Sequence, residues 1–194
     1  IIFDKWITFK SINIKATKFE AAFWSGEVLD KLYKRIQNKP GDPMAQIFCA
    51  GMNEWKLSAE AAVHIDGDLR AGLQQRIDRA MASAIGREVS KLERYMTFLA
   101  TVGSTAPFVG LFGTVWGVYH ALVAIGMSGS GMLDKVAGPV GEALIMTGIG
   151  LAVALPAVMG YNWLTRSNRV LTAKLDAFAF ELLTFLSMGR ALQA

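Results

Sequence analysis

From Tyr95 through Leu133 the chain contains no Asp, Glu, Lys or Arg. A second stretch, between Lys135 and Arg166, carries Glu142 as its only charge. Runs of this length are too long for strands and match the thickness of a bilayer, so they point to an all-α membrane protein. The whole chain of 194 residues is 53% hydrophobic and 19% charged, which excludes disorder, collagen and charged coiled-coil fibres. A single cysteine, Cys49, excludes an intramolecular disulfide and a thiolate zinc cluster.

Charge placement gives the expected topology. Residues 1–97 hold 15 Lys+Arg and 12 Asp+Glu, residues 128–135 hold one of each sign, and 166–194 hold four basic and two acidic. Basic flanks stay in the cytoplasm, so the block 6–97 and the tail 164–194 are expected there, and the loop 128–135, with Ser128-Gly129-Ser130-Gly131, is expected outside. The spans are 98–127 and 136–163. As helices they would rise roughly 45 and 42 Å against about 30 Å of hydrocarbon, so they must tilt or protrude. Ile1-Ile2-Phe3 followed by Asp4 and Lys5 reads as the last turn of a hydrophobic segment reaching water. Residues 1–5 are therefore expected to end an earlier, truncated membrane helix.

In the cytoplasmic block Trp6, Phe9, Ile12, Ala16, Phe19 and Phe23 recur at steps of three and four with lysines between them, the pattern of an amphipathic helix. Ser25-Gly26 interrupts it. Ser25 is expected to cap a second helix with Glu27 in its first turn and Leu29, Leu32, Tyr33 and Ile36 as its stripe. Asn38 through Pro43 breaks the chain again, and a third helix over about Met44 to Lys56 carries Ile47, Phe48, Met52 and Trp55. After His64-Ile65-Asp66-Gly67 a fourth helix places Leu69, Leu73, Ile77, Met81, Ile85, Val89, Leu92 and Met96 on one side. No proline follows before Pro107, so this helix is expected to run straight into the membrane. Arg70, Arg76, Arg79, Arg87 and Arg94 alternate with Asp68, Asp78, Glu88 and Glu93, which reads as a solvated or intersubunit face and not as a nucleic-acid surface.

The first span has glycines at 103, 110 and 117, with Gly113 beside them. They form a flat strip where helix backbones can touch, within the chain or between copies. Pro107 is expected to kink this helix. Ala143, Thr147, Gly150 and Ala154 form a small-residue stripe on the returning span. Thr114 and Thr147 both lie roughly 17 to 20 Å below the outer end. Either hydroxyl can bond its own i−4 carbonyl, or the two can share one polar site. Glu142 is a functional candidate as an intramembrane carboxylate. Its alternative is a capping or packing role in the first turn, if the helix starts near Pro139. Glu142 and Thr147 lie about 140° apart around a helix and cannot point squarely at one axis. His120 reads as a packed neutral histidine rather than a proton relay.

No Walker loop, His-Glu-x-x-His, Gly-x-Ser-x-Gly or Cys-x-x-Cys occurs, so no catalytic residue, metal site or cofactor is expected.

The residues Gly103-Ser104, Pro107, Gly110 through Gly117, Gly141-Glu142-Ala143-Leu144, Thr147, and Pro156-Ala157-Val158 with Tyr161-Asn162 resemble the MotA/TolQ/ExbB proton-channel family. Phe23-Trp24-Ser25-Gly26, Gln46-Ile47-Phe48 with Gly51, and His120-Ala121 resemble its TolQ branch more than its ExbB branch. Gly141 and Gly148 stand where the family has alanine, removing methyl groups from a packing helix. The resemblance implies a three-span inner-membrane protein, its long helices extending into a helical cytoplasmic domain. It implies a homopentamer around a TolR-like single-span partner that supplies the proton-carrying aspartate, with a TolA-like protein in the same system and membrane lipid around it. Proton flow would drive the Tol-Pal system, which serves outer-membrane integrity and constriction in division. Thr114, Thr147 and Glu142 fall at positions associated with the channel lining, and Gly103, Pro107, Gly110, Gly113, Gly117 and Pro156 at helix-packing positions. An ExbB-like energiser of TonB-dependent import and a non-conducting membrane scaffold are the alternatives.

Overall fold

The computed structural model describes the backbone of residues 2–25, 28–61, 69–128 and 133–191. Among these residues every regular element is an α-helix: α1 (Ile2–Trp24), α2 (Leu29–Ile36), α3 (Pro43–Ala61), α4 (Leu69–Glu93), α5 (Met96–Ser128) and α6 (Leu133–Ala191). The chain divides into two compact units, Ile1–Arg94 with Arg166–Ala194, and Tyr95–Thr165.

The first unit closes around the apolar stripes of its helices. Phe9, Ala16, Phe19 and Phe23 of α1 are buried, as their spacing requires. Phe23 lies 5.3 Å from Phe178 and 6.0 Å from Phe48, and Phe19 lies 5.7 Å from Phe48 and 5.8 Å from Phe178, ring centre to ring centre. Tilted and edge-on pairs of this kind contribute about 0.5–1.5 kcal/mol each beyond their burial. Gly51 lets α3 approach closely: a Cβ there would sit 3.0 Å from the Met81 sulfur and 3.3 Å from Leu182. Ile47, Phe48, Met52, Ile77, Met81, Leu175 and Leu182 are fully buried around this contact.

Polar groups fix the ends of these helices. Asp42 caps α3, accepting from the Ala45 N–H at 2.9 Å, and Pro43 occupies the first helical position, where a missing N–H costs nothing. The Lys5 ammonium donates to the Leu92 and Lys91 carbonyls at 2.7 and 3.2 Å, so α1 satisfies the exposed carbonyl end of α4. Arg76 pairs with Glu54 at 2.8 Å and Asp30 with both Lys34 and Lys56. The buried Asn168 donates to Glu93 at 3.4 Å.

Cys49 is half-buried, and burial first, then the Asp42 carboxylate, pushes its thiol up to about 11. The nucleophile is the thiolate, so native Cys49 is expected to react with iodoacetamide about 100-fold more slowly than the unfolded chain near pH 8. Equal alkylation rates in buffer and in denaturant would contradict this.

Three local expectations fail. The Ser25 hydroxyl donates back to the Ala22 carbonyl at 2.7 Å instead of capping α2, whose N-cap Val28 makes no side-chain bond. Trp6 does not join the buried stripe; it is 46% exposed, with the Lys10 ammonium over its ring at 5.3 Å. The fourth helix does not run unbroken into the apolar stretch, because Tyr95 adopts φ 70° between α4 and α5. That left-handed geometry stops a helix without glycine or proline. Glu27, expected in the first turn of the second helix, the His64–Gly67 break and most of the Ser128–Gly131 loop lie outside the described residues.

The second unit consists of α5 and the first part of α6. At 33 and 59 residues, the two helices rise about 50 and 88 Å, and both are long and apolar enough to cross a membrane. Pro107, Pro139 and Pro156 lie inside them, each removing one i−4 hydrogen bond, a loss that membrane helices tolerate. Phe108, Phe112, Leu144 and Ile145 are among many large apolar side chains left open on this unit. Such a surface suits lipid or further helices and not water.

Candidate functional site

The glycine strip of α5 faces the small-residue stripe of α6. A Cβ on Gly103 would meet Val158, one on Gly110 would meet Met146, Thr147 and Gly150, one on Gly113 would meet Met146, and one on Gly117 would meet Ala143. The numbering rises on one helix as it falls on the other, so the helices run antiparallel. Backbone approaches backbone most closely at Gly110 and Gly150. A Cβ on Gly150 would stand 2.7 Å from the Ala106 carbonyl oxygen and 2.9 Å from the Gly110 Cα, and one on Gly110 would stand 2.9 Å from the Met146 carbonyl oxygen. These obstacles are backbone and cannot rotate away. Without water to drive association, such close approach is the main attraction between membrane helices.

One turn from this crossing the two hydroxyls meet. The Thr114 hydroxyl is hydrogen-bonded directly to that of Thr147 and also donates to the Gly110 carbonyl at 3.1 Å. Thr114 has a single proton, committed to Gly110, so Thr147 is the donor between the hydroxyls. Both sequence alternatives are therefore realised at Thr114: it bonds its own i−4 carbonyl and shares a polar site with Thr147. Both residues remain partly accessible.

Glu142 is placed elsewhere. It lines an open groove of about 500 Å³ with Phe112, Trp116, Gly117, His120 and Met146, and neither threonine lines that groove. The wide angle between Glu142 and Thr147 around one helix requires this separation. The helix-end alternative for Glu142 is overturned, because α6 begins at Leu133 and not near Pro139. Glu142 therefore lies beyond the first turn, where a helix dipole acts on a carboxylate. His120 is not packed away either. It is exposed, its Nδ1 lies 3.0 Å from the Trp116 carbonyl oxygen, and its ring lies 4.7 Å from that of Trp116. Sequence reasoning missed that it lines the same groove as Glu142, since that depends on the antiparallel register of α5 and α6.

The departures at Gly141 and Gly148 also read differently. A Cβ at either position would meet nothing within 4 Å, so neither belongs to the packed seam between α5 and α6. Among the described residues no group of three or more His, Cys, Asp or Glu is placed to hold a metal ion.

Hydroxyls bonded across a helix crossing and a carboxylate in a groove of an otherwise apolar helix pair are costly to keep in apolar surroundings, and they fit the class of ion-handling membrane proteins. The match to known proteins is more specific. Residues 40–177 match the MotA/TolQ/ExbB proton channel family, and the chain belongs to that family. It is 42% identical over 192 residues to the biopolymer transport protein ExbB of Xanthomonas campestris pv. campestris, covering 93% of this chain and 73% of that one. It is 40% identical over 174 residues to the Tol-Pal system protein TolQ of Haemophilus influenzae, covering 89% and 75%. Over 87 residues it is 60% identical to the ExbB of Neisseria gonorrhoeae, covering 45% and 40%.

Proposed function

We propose that this chain is the proton-channel subunit of a Tol-Pal system in a bacterial inner membrane, coupling the proton motive force to outer-membrane integrity and to constriction in division. Five copies surround a TolR-like single-span partner whose aspartate carries the proton, and a TolA-like protein receives the resulting movement. Spans 98–127 and 136–163 lead out and back, 128–135 is periplasmic, and 6–97 and 164–194 are cytoplasmic. The observation that carries this reading is the bonded Thr114–Thr147 pair at the glycine crossing. It offers polar atoms at mid-depth that can bond a carboxyl group or water and do not themselves titrate near neutrality. Glu142 in the adjoining groove adds an ionisable carboxyl group.

A second reading, an ExbB-like energiser of TonB-dependent import, is favoured by the strong similarity to relatives named ExbB. The two part in a deletion strain. Detergent sensitivity and chained cells are expected from the first reading, and loss of siderophore uptake with normal envelopes would favour the second. Proton flux through the complex that depends on the partner's aspartate separates both from a passive scaffold.

A further inference from the structure

We propose that His120 is a proton-transfer residue that exchanges protons with Glu142 across the groove between α5 and α6. The inference rests on the proton-channel reading and deepens it.

The first support is the hydrogen bond of the imidazole. Its Nδ1 faces the Trp116 carbonyl oxygen at 3.0 Å. A carbonyl only accepts, so Nδ1 keeps its hydrogen in both the neutral and the charged ring. Protons therefore arrive and leave at Nε2 alone. Tilted contact with the Trp116 ring at 4.7 Å holds the imidazole on the groove side of α5.

The second is register. Gly117 sits against Ala143, with the Pro139 carbonyl oxygen 3.7 Å from a Cβ built on it. His120, three residues further along α5, is level with α6 about one turn or less from Glu142. Both line the same groove, and among the described residues they are its only titratable lining. Among the described residues, the ring of Tyr119 lies 5.4 Å from that of His120 and is a further titratable neighbour. A groove of about 500 Å³ has room for waters, each occupying roughly 30 Å³, to bridge any gap.

The transfer balances simply. The Nε2–H bond of the imidazolium breaks and an O–H bond forms on the Glu142 carboxylate, leaving a neutral ring, still hydrogen-bonded through Nδ1, and a neutral carboxylic acid. Two opposite charges disappear together, so neither is stranded in apolar surroundings. Histidine suits the first position because imidazole ordinarily changes charge between about pH 5 and 8.

The test uses the full complex with its single-span partner in lipid vesicles. His120→Asn keeps an N–H for the Trp116 carbonyl and removes the titrating nitrogen. Proton flux is expected to fall roughly 100-fold with the oligomer intact, and added imidazole is expected to restore flux to His120→Ala. A conducting wild type with an equally conducting His120→Asn, unresponsive to imidazole in the alanine variant, overturns this inference alone. A wild type that conducts nothing overturns the channel reading and the inference with it. Should the His120 variants fail to assemble, infrared difference spectra of wild type and Glu142→Gln decide. A shift in the imidazole titration on losing the carboxyl supports the exchange, and an unchanged titration overturns it.

Discussion

Valine at both Thr114 and Thr147 is expected to bring proton flux close to zero while the oligomer still forms. Valine nearly matches threonine in volume, so the glycine seam closes as before and only the hydroxyl–hydroxyl bond and the bond to the Gly110 carbonyl are lost. A dry apolar path makes the charged form of any carboxyl beside it very costly, whereas a hydroxyl, or a water it holds, offsets that cost. Thr→Ser variants keep the hydroxyl and should fall between wild type and valine. Stability should follow a different order from activity. Thr114→Val leaves the Thr147 hydroxyl without its acceptor, at a cost of about 1–3 kcal/mol if no water replaces it, whereas Thr147→Val leaves Thr114 its bond to Gly110 and costs less. After Thr114→Val the second valine adds little because no hydroxyl is then left unpaired. Reconstituted flux and thermal unfolding in detergent measure the two orders. Double-valine complexes that conduct like wild type would reduce the pair to a structural clasp.

Gly110→Leu is expected to abolish assembly, and Gly110→Ala to cost about 1–3 kcal/mol in the stability of the helix pair. The added Cβ meets the Met146 carbonyl oxygen at 2.9 Å and the Gly150 and Thr147 Cα atoms at 3.1 and 3.2 Å. The helices must separate to admit it, and separation also parts Thr114 from Thr147. Gly150→Ala should be at least as damaging, since the Ala106 carbonyl oxygen and the Gly110 backbone crowd its Cβ. Gly113→Ala should also be costly, since its Cβ would meet the Met146 Cβ, which is fixed to the α6 backbone, at 2.9 Å. Alanine at Gly141 or Gly148 meets open space in this chain and serves as the control. The oligomeric fraction by native mass spectrometry ranks these variants, and a wild-type oligomer for Gly110→Leu would show that the seam is looser than the crossing implies.

The parts of this structure that depend on local periodicity were legible in the sequence. The stripe Phe9, Ala16, Phe19 and Phe23 is buried as its spacing demands, and the facing of the two small-residue stripes follows from the repeat of Gly103, Gly110 and Gly117. The common depth of Thr114 and Thr147 is enough to expect their meeting once the helices are known to be antiparallel. Features set by competition between local and distant contacts were not legible. Ser25 had two carbonyl or amide partners within reach, and no pattern reveals which one prevails. Tyr95 stops a helix in a conformation that its own side chain disfavours, so the cause lies outside its immediate sequence. His120 and Glu142 belong to different helices and lie far apart in the chain, and only the register of α5 on α6 brings them to one groove.

The first unit is assembled from both ends of the chain, Ile1–Arg94 and Arg166–Ala194, and the whole of the other unit, Tyr95–Thr165, is threaded between them. Its aromatic cluster joins Phe19, Phe23 and Phe48 to Phe178 and Phe185, contacts between opposite ends of the sequence. During synthesis, which proceeds at roughly 5–20 residues per second, α1 to α4 leave the ribosome before the helix that completes their core exists. The apolar pair emerges in the interval, so its insertion into lipid begins while Phe19, Phe23 and Phe48 still lack Phe178. Translation order therefore sets a folding order in which the bundle closes last, and a nascent chain stalled before Phe178 presents an exposed aromatic surface to the cell's chaperones and proteases.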